Sequence, residues 1–226
     1  MQNRSPIASA QKKDNPYVWI TWLTSLLAGT NHCEWAAWFQ ANYKFEKNKY
    51  DPGDWNVKHN NLLNRRIRQL ELEGYKVYIE DENKFTILGT DRLTMVAGKA
   101  DIVAIRGNEI VVEDCKSGKM KDEHIMQVLC YMLLLPAPGG PDHCRDKKLE
   151  GRLIYGDDEV DVPSSTLDRV FKETFRETIR LVSNSDPARK VPSYRECQYC
   201  KISSVNCPER VEKQEIDLFQ EEHDIF

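Results

Sequence analysis

GKADIVAIRGNEIVVEDCKSGK, residues 98–119, is the stretch whose reading decides the fold. Two apolar runs flank Gly107-Asn108, a pair suited to a two-residue hairpin loop. Side chains alternate between the faces of a strand, so Ile110, Val112, Asp114 and Lys116 share one face, and Val111, Glu113 and Cys115 the other. The acid able to work with Lys116 is therefore Asp114, and Glu113 points away. The same hairpin sets Asp101 opposite Asp114, with Cβ atoms roughly 5 Å apart. Carboxylates that close repel unless a cation sits between them, and a hard divalent ion such as Mg²⁺ or Mn²⁺ suits the pair. Lys116 beside them can activate a water or stabilise charge on a phosphate. On its own, Asp-x-Lys reads far more readily as an edge hairpin with surface acids and a lysine salt bridge.

Outward from the hairpin, periodicity predicts a mixed α/β domain with helices packed on a central sheet. Helices are expected over Trp19–Leu27 and Cys33–Tyr43. A turn at Pro52-Gly53 follows, then a long helix from about Asn56 to Glu73 ended by Gly74. Strands are expected at Lys76–Ile79, Phe85–Leu88, Thr94–Ile105 and Glu109–Lys116. A helix from Asp122 to Leu135 stops at Pro136, a loop occupies 137–150, and short strands follow at Arg152–Tyr155 and Val160–Val162. The last helix starts near Ser165, capped by Ser165-x-x-Asp168, with Leu167, Val170, Phe171, Phe175 and Leu181 at helical spacing. Residues 1–15 read as a loose tail, 16–207 as one domain ending in the cysteine segment 197–207, and 208–226 as an acidic tail.

The chain has 226 residues, 40% hydrophobic and 30% charged, enough for a real core under a wet surface. No apolar run approaches the ~18–20 residues of a membrane span, and the first fifteen residues lack an apolar signal core. The expectation is a soluble, cytoplasmic protein. The net charge is −4, but residues 208–226 hold seven acids and two bases, so the remainder is weakly positive. Basic clusters at Arg65-Arg66-Arg68 and Lys116-Lys119-Lys121 are compatible with DNA and equally with solvated faces. The only Gly-Lys resembling a phosphate loop, in EDCKSGKM, has Glu113 at the first glycine position and Met120 at the Ser/Thr position.

Taken together, Gly98-x-x-Asp101, Asp114-x-Lys116 and Gln127-x-x-x-Tyr131 resemble the PD-(D/E)XK nuclease superfamily, in its RecB-like branch. The resemblance covers roughly residues 20 to 210 and implies a restriction-endonuclease-like core. It also implies a metal-dependent deoxyribonuclease that uses Mg²⁺ or Mn²⁺. Asp101, Asp114 and Lys116 would be catalytic, with Gln127 and Tyr131 on one helix face touching the site and the DNA. His59, the counterpart of the family's helical histidine, would join Asp101 and Asp114 as a metal ligand. Asp114 stands where many members carry Glu. Tyr131 is expected to stack an unpaired base, so that its loss would slow digestion more than it harms folding. Glu113 is expected to matter little to activity and only modestly to stability.

Seven cysteines, without a secretion signal, speak for metal ligation and core thiols rather than disulfides. Cys197, Cys200 and Cys207 form a compact trio after the core, and Cys33 stands 164 residues before Cys197. That layout resembles the iron–sulfur RecB-like nucleases, which include CRISPR-associated exonucleases and nuclease domains of recombination helicases. It implies a 4Fe–4S cluster clasping the chain ends, with Zn²⁺ on the same four thiolates as the alternative. Cys115 and Cys130 are expected in the core, and Cys144 beside His143 is a spare ligand or incidental. The implied activity is a stand-alone exonuclease on single-stranded DNA with a free end, in CRISPR adaptation or in recombination and repair. A sequence-specific duplex endonuclease and a DNA-end-binding subunit of a larger assembly are the alternatives. Partners are DNA and other nucleic-acid-processing proteins.

Overall fold

The hairpin forms in the expected register. In the computed structural model, which describes residues 10–47, 53–91 and 93–213, strand Ile102–Arg106 pairs antiparallel with Glu109–Cys115, Ile102 lying opposite Glu113 and Arg106 opposite Glu109. Gly107 takes a φ of 60° in the loop, a region open to glycine at little cost.

In chain order the strands are β1 Gln11–Lys12, β2 Tyr17–Trp19, β3 Tyr43–Lys44, β4 Lys76–Ile79, β5 Lys84–Leu88, β6 Met95–Lys99, β7 Ile102–Arg106, β8 Glu109–Cys115, β9 Glu150–Tyr155 and β10 Asp158–Val162. The helices are α1 Thr24–Leu27, α2 Glu34–Asn42, α3 Trp55–Leu72, α4 Asp122–Leu134, α5 Arg169–Ser183 and α6 Tyr194–Cys197. Five strands in the order β10-β9-β8-β7-β4 make the main sheet, antiparallel except where β8 runs parallel to β9. A three-stranded sheet, β2-β6-β5, and the short pair β1-β3 complete the β structure among the described residues.

Each face of β8 is covered by a helix. Val112 and Leu153 join Val128, Leu129 and Met132 of α4 and Phe171 and Phe175 of α5 in the largest core. On the other face Ile102, Ala104, Cys115 and Ile154 meet Leu62, Leu63 and Leu70 of α3. Gly151 has no room for a side chain, since a Cβ there would lie 2.4 Å from Val128; α4 approaches the sheet closely at that point. Cys115, Cys130 and Cys144 are all buried thiols, so Cys144 is core packing rather than a spare ligand.

Several expected boundaries move. The single strand expected over Thr94–Ile105 is two strands, β6 and β7, which belong to different sheets and part at Ala100-Asp101. Helix is also replaced at Trp19–Leu27 by the end of β2, a 3-10 turn at Ile20–Trp22 and the one-turn α1. The last helix is capped by Asp168, whose carboxylate accepts from the Phe171 N–H, and not by Ser165, which lies in a separate 3-10 turn after Pro163. Val170 is 68% exposed and not part of the apolar face. Of the expected loose tail, residues 1–9 lie outside the described residues, but Gln11 and Lys12 already pair with β3. Pro52 and residues 214–226, most of the expected acidic tail, also lie outside them. Among the described residues no helix is long and apolar enough to cross a membrane.

Candidate active site

The site forms where β8 runs out. Asp114 is the penultimate residue of that strand, with β7 on one side and β9 on the other, and its side chain is 1% exposed. Lys116 continues the ladder by donating its N–H to Ile154 O at 2.8 Å. Its ammonium lies 2.5 Å from Asp114 Oδ2 and donates to Gln127 Oε1 at 3.0 Å. Gln127 Nε2 donates in turn to Asp114 Oδ1 at 3.0 Å and to the Tyr131 hydroxyl at 2.9 Å. The hydroxyl donates to Lys99 O at 2.8 Å. Gln127 and Tyr131 share a face of α4 because they are four residues apart, so one helix face holds the acid and the lysine together.

Asp101 stands at the break between β6 and β7. Its Oδ2 accepts from the Cys115 N–H at 2.8 Å, which ties it beside Asp114. His59, in the first half of α3, brings Nε2 to 3.9 Å from the same oxygen, and its ring stacks on Trp55 at 5.1 Å. Burial pushes the Asp114 carboxyl up to about 6, and the neighbouring Asp101 adds to the shift against the opposing pull of Lys116. Asp101 is raised as well, mainly by burial. Burial lowers His59, which favours the neutral imidazole that ligates metals.

His59 Nδ1 is buried without a hydrogen-bond partner, and Asp114 Oδ2 is buried with no hydrogen bond beyond its ion pair with Lys116. A buried ring nitrogen without a partner is costly. Among the described residues no three His, Cys, Asp or Glu side chains are already drawn together as a complete ligand set. The oxygen-rich donors Asp101 and Asp114, with His59 near, nevertheless fit a hard divalent cation by type and by their unspent lone pairs.

An open cleft of about 900 Å³ borders the site, with Lys58 and Arg65 from α3, Ser117 to Met120 from the loop after β8, and Tyr155 in its lining along with Lys116. The Tyr155 hydroxyl shares a 2.7 Å hydrogen bond with His124 Nδ1. Neither residue is singled out by the sequence patterns; the pair spans 31 positions and is joined only by α4 crossing β9.

Two expectations change here. Tyr131 is 2% exposed and edge-on to Phe85, with its hydroxyl committed to Lys99 and Gln127, so it cannot stack a base. Glu113 does point away from Lys116 as strand parity requires, but it is not dispensable. Arg66 grips it through two bonds of 2.7 Å, and Arg152 adds a third at 3.3 Å. The Arg65-Arg66-Arg68 cluster is therefore split: Arg66 is buried structure, whereas Arg65 reaches the cleft rim, paired with Asp157 at 3.0 Å.

The four candidate cluster cysteines gather around the chain ends. Cys33 and Cys207 pack with Trp35, Trp38, Phe39 and Ile202, and Cys200 lies against that group. All are free thiols. Burial raises Cys200, which also feels Cys33 and Cys197, and burial likewise raises Cys207, which feels Cys197 and Cys200. The Glu196 carboxylate accepts from the N–H groups of His32 and Cys33, fixing the two segments to each other without any ligand. Among the described residues no three of these thiols are drawn together as a ligand set for a metal or cluster.

The mixed sheet brings two carboxylates and a lysine together at one strand end, and the family match is to metal-dependent nucleases. The chain matches the PD-(D/E)XK nuclease superfamily over residues 31–208 and belongs to it. A solved structure described as "Crystal structure of SSO0001" aligns with 89% of this chain and 90% of that one, at 16% identity and a TM-score of 0.43. No curated protein matches.

Proposed function

We propose that this chain is an exonuclease that hydrolyses single-stranded DNA from an end, using Asp101, Asp114 and Lys116 with His59 as a further metal ligand. The observation that carries the reading is the buried Asp114 carboxylate, paired with the Lys116 ammonium and set beside Asp101, at the edge of an open cleft. Mg²⁺ or Mn²⁺ held by Asp101, Asp114 and His59 would supply Lewis-acid stabilisation of the phosphate and a more acidic water. Lys116 orients the attacking water and faces the negative charge that builds on the phosphate. Gln127 keeps Lys116 and Asp114 in register, and Tyr131 buttresses Gln127 from the core. Lys58, Arg65 and Lys119 supply positive charge along the cleft, suited to a backbone and indifferent to sequence. None of the described elements stands apart from the core as a reader of duplex sequence, which favours end digestion over restriction-type cutting.

The reading includes the iron–sulfur type. Cys33, Cys197, Cys200 and Cys207 would hold a 4Fe–4S cluster, with zinc as the alternative, and the pathway would be CRISPR adaptation or recombination and repair. Activity is tested on end-labelled linear single strands, circular single strands and blunt duplex, with Mg²⁺ or Mn²⁺ against EDTA. Linear single strands should disappear fastest and only with metal. Asp101→Asn, Asp114→Asn and Lys116→Ala should each lose at least about a hundredfold in rate. Site-specific cutting of intact duplex would move the assignment to an endonuclease. Metal-independent binding of ends, with no cleavage, would leave the end-binding subunit.

A further inference from the structure

We propose that a second cleft is a nucleic-acid contact, in which the Trp22 indole stacks a base and Lys47 and Lys201 take the adjoining phosphates of the strand being cut. The proposal rests on the nuclease reading and extends it to the path of the substrate. This cleft, about 810 Å³, is lined by Trp22, Gln40 and Lys201 at one end and by Met120 and Lys121 at the other. Met120 lines the first cleft too, so a strand crossing the loop after Lys116 passes from one into the other.

The charge here is unspent. Lys13 and Lys47 place their ammonium groups 5.4 and 5.5 Å from the Trp22 ring centre. Lys13 is anchored by donating to Gln40 O at 2.7 Å and Ala41 O at 3.2 Å, at the end of α2. No carboxylate among the described residues pairs with Lys13, Lys44, Lys47 or Lys201, and of the three acids lining the cleft two are engaged, while Asp122 is exposed at the Lys121 end. Glu196 accepts from His32 and Cys33, and Glu123 accepts from the Thr30 hydroxyl at 2.6 Å. Lysines crowded without counter-charge depress one another: Lys47 and Lys44 add to the burial that lowers Lys13, and Lys201 adds to the burial that lowers Lys47. An aromatic ring among such lysines offers alternating apolar and cationic contacts, the pattern that single-stranded nucleic acid presents as bases and phosphates. A stacked base displaces the exposed Lys47 from the indole, and its ammonium then reaches the phosphate of that nucleotide.

The test compares wild type, Lys47→Ala/Lys201→Ala and Trp22→Phe, using a long fluorescent single strand in EDTA and a small phosphodiester, bis-p-nitrophenyl phosphate, with Mn²⁺. Lys47 and Lys201 are exposed, so the double variant should fold normally. It should bind the strand about tenfold more weakly and flatten the plot of log affinity against log salt by about 1.4, the value for two lost single-strand phosphate contacts. Trp22→Phe should lose most of the tryptophan quenching caused by the strand. The small ester, which needs only the site at Lys116, should be cut at the wild-type rate by both. Unchanged strand affinity and salt slope in the double variant overturn the proposal while leaving the nuclease intact. Failure of wild type to cut either substrate overturns the nuclease reading itself. Polyglutamate binding as tightly as the strand, and lost in the same variants, would overturn the proposal in favour of an acidic protein partner.

Discussion

Arg66 and Glu113 form a buried ion pair with two bonds of 2.7 Å and side chains only 3% and 0% exposed, and Glu159 and Arg152 extend it into a network of four charges. Glu113 therefore has a partner on the face of β8 opposite Asp114, and the two adjacent acids do different work.

Removing one member of that pair leaves the other with its outer partner alone, Glu159 for Arg66 and Arg152 for Glu113. Glu113→Ala and Arg66→Ala should each cost about 3 kcal/mol, the low end for a broken buried pair, far more than a surface acid would. Because Glu113 touches neither Lys116 nor the cleft, whatever fraction of Glu113→Ala still folds should retain its turnover. Urea melts set beside rates per folded molecule separate the two effects. A stable but dead Glu113→Ala would contradict this assignment of faces.

Tyr131 makes the opposite case, a motif residue whose role passes through another. Tyr131→Ala opens a cavity in the main core and should cost about 3–5 kcal/mol. Tyr131→Phe keeps the packing, costs about 1 kcal/mol, and should lower turnover because Gln127 loses its buttress. Strand affinity per folded molecule should stay level in Tyr131→Leu, a result that base stacking by this ring would not allow.

These two residues show where the sequence was readable. Alternation along β7 and β8 with a Gly107-Asn108 turn fixes which acids share a face, since a strand has only two faces. The α3 and α4 boundaries were legible from Gly74 and Pro136. The break at Ala100-Asp101 was not, because a lone Asp inside an apolar run is a weak turn signal and the split arises from strands joining different sheets. The depth of Tyr131 and the pairing of Glu113 with Arg66 were hidden for a similar reason: both depend on helices packing across the sheet, at separations that no local pattern encodes.

His124 should make stability pH-dependent. Burial, aided by Lys116 and Lys121, pushes its imidazole down to about 4, against about 6.5 in the unfolded chain. Between those values the unfolded state binds the extra proton, so this group removes stability as pH falls from about 6.5 towards 4 and adds no further loss below that. Thermal melts at pH 7 and pH 5 should show a larger drop for wild type than for His124→Gln. Equal drops would mean that the ring is not held neutral.

Protein purified without oxygen should be brown and contain iron and acid-labile sulfide. Replacing Cys33, Cys197, Cys200 or Cys207 with Ser should bleach it and lower its melting temperature, since the metal's binding energy contributes to folding. Cys130→Ser, a change at a buried thiol outside this group, should leave the colour in place. A colourless protein with one zinc per chain and no sulfide would assign the four thiols to zinc.

The stitching of Glu196 to the backbone of His32 and Cys33, 164 and 163 residues away, bears on how the chain is made. At ~5–20 residues per second of synthesis, the segment ahead of α2 waits roughly ten to thirty seconds on the ribosome before its partner is translated. During that interval Trp35, Trp38 and Phe39, which end up in the aromatic cluster beside Cys33, have no C-terminal segment to cover them. The nascent chain thus carries an aromatic-rich helix early and its cover late.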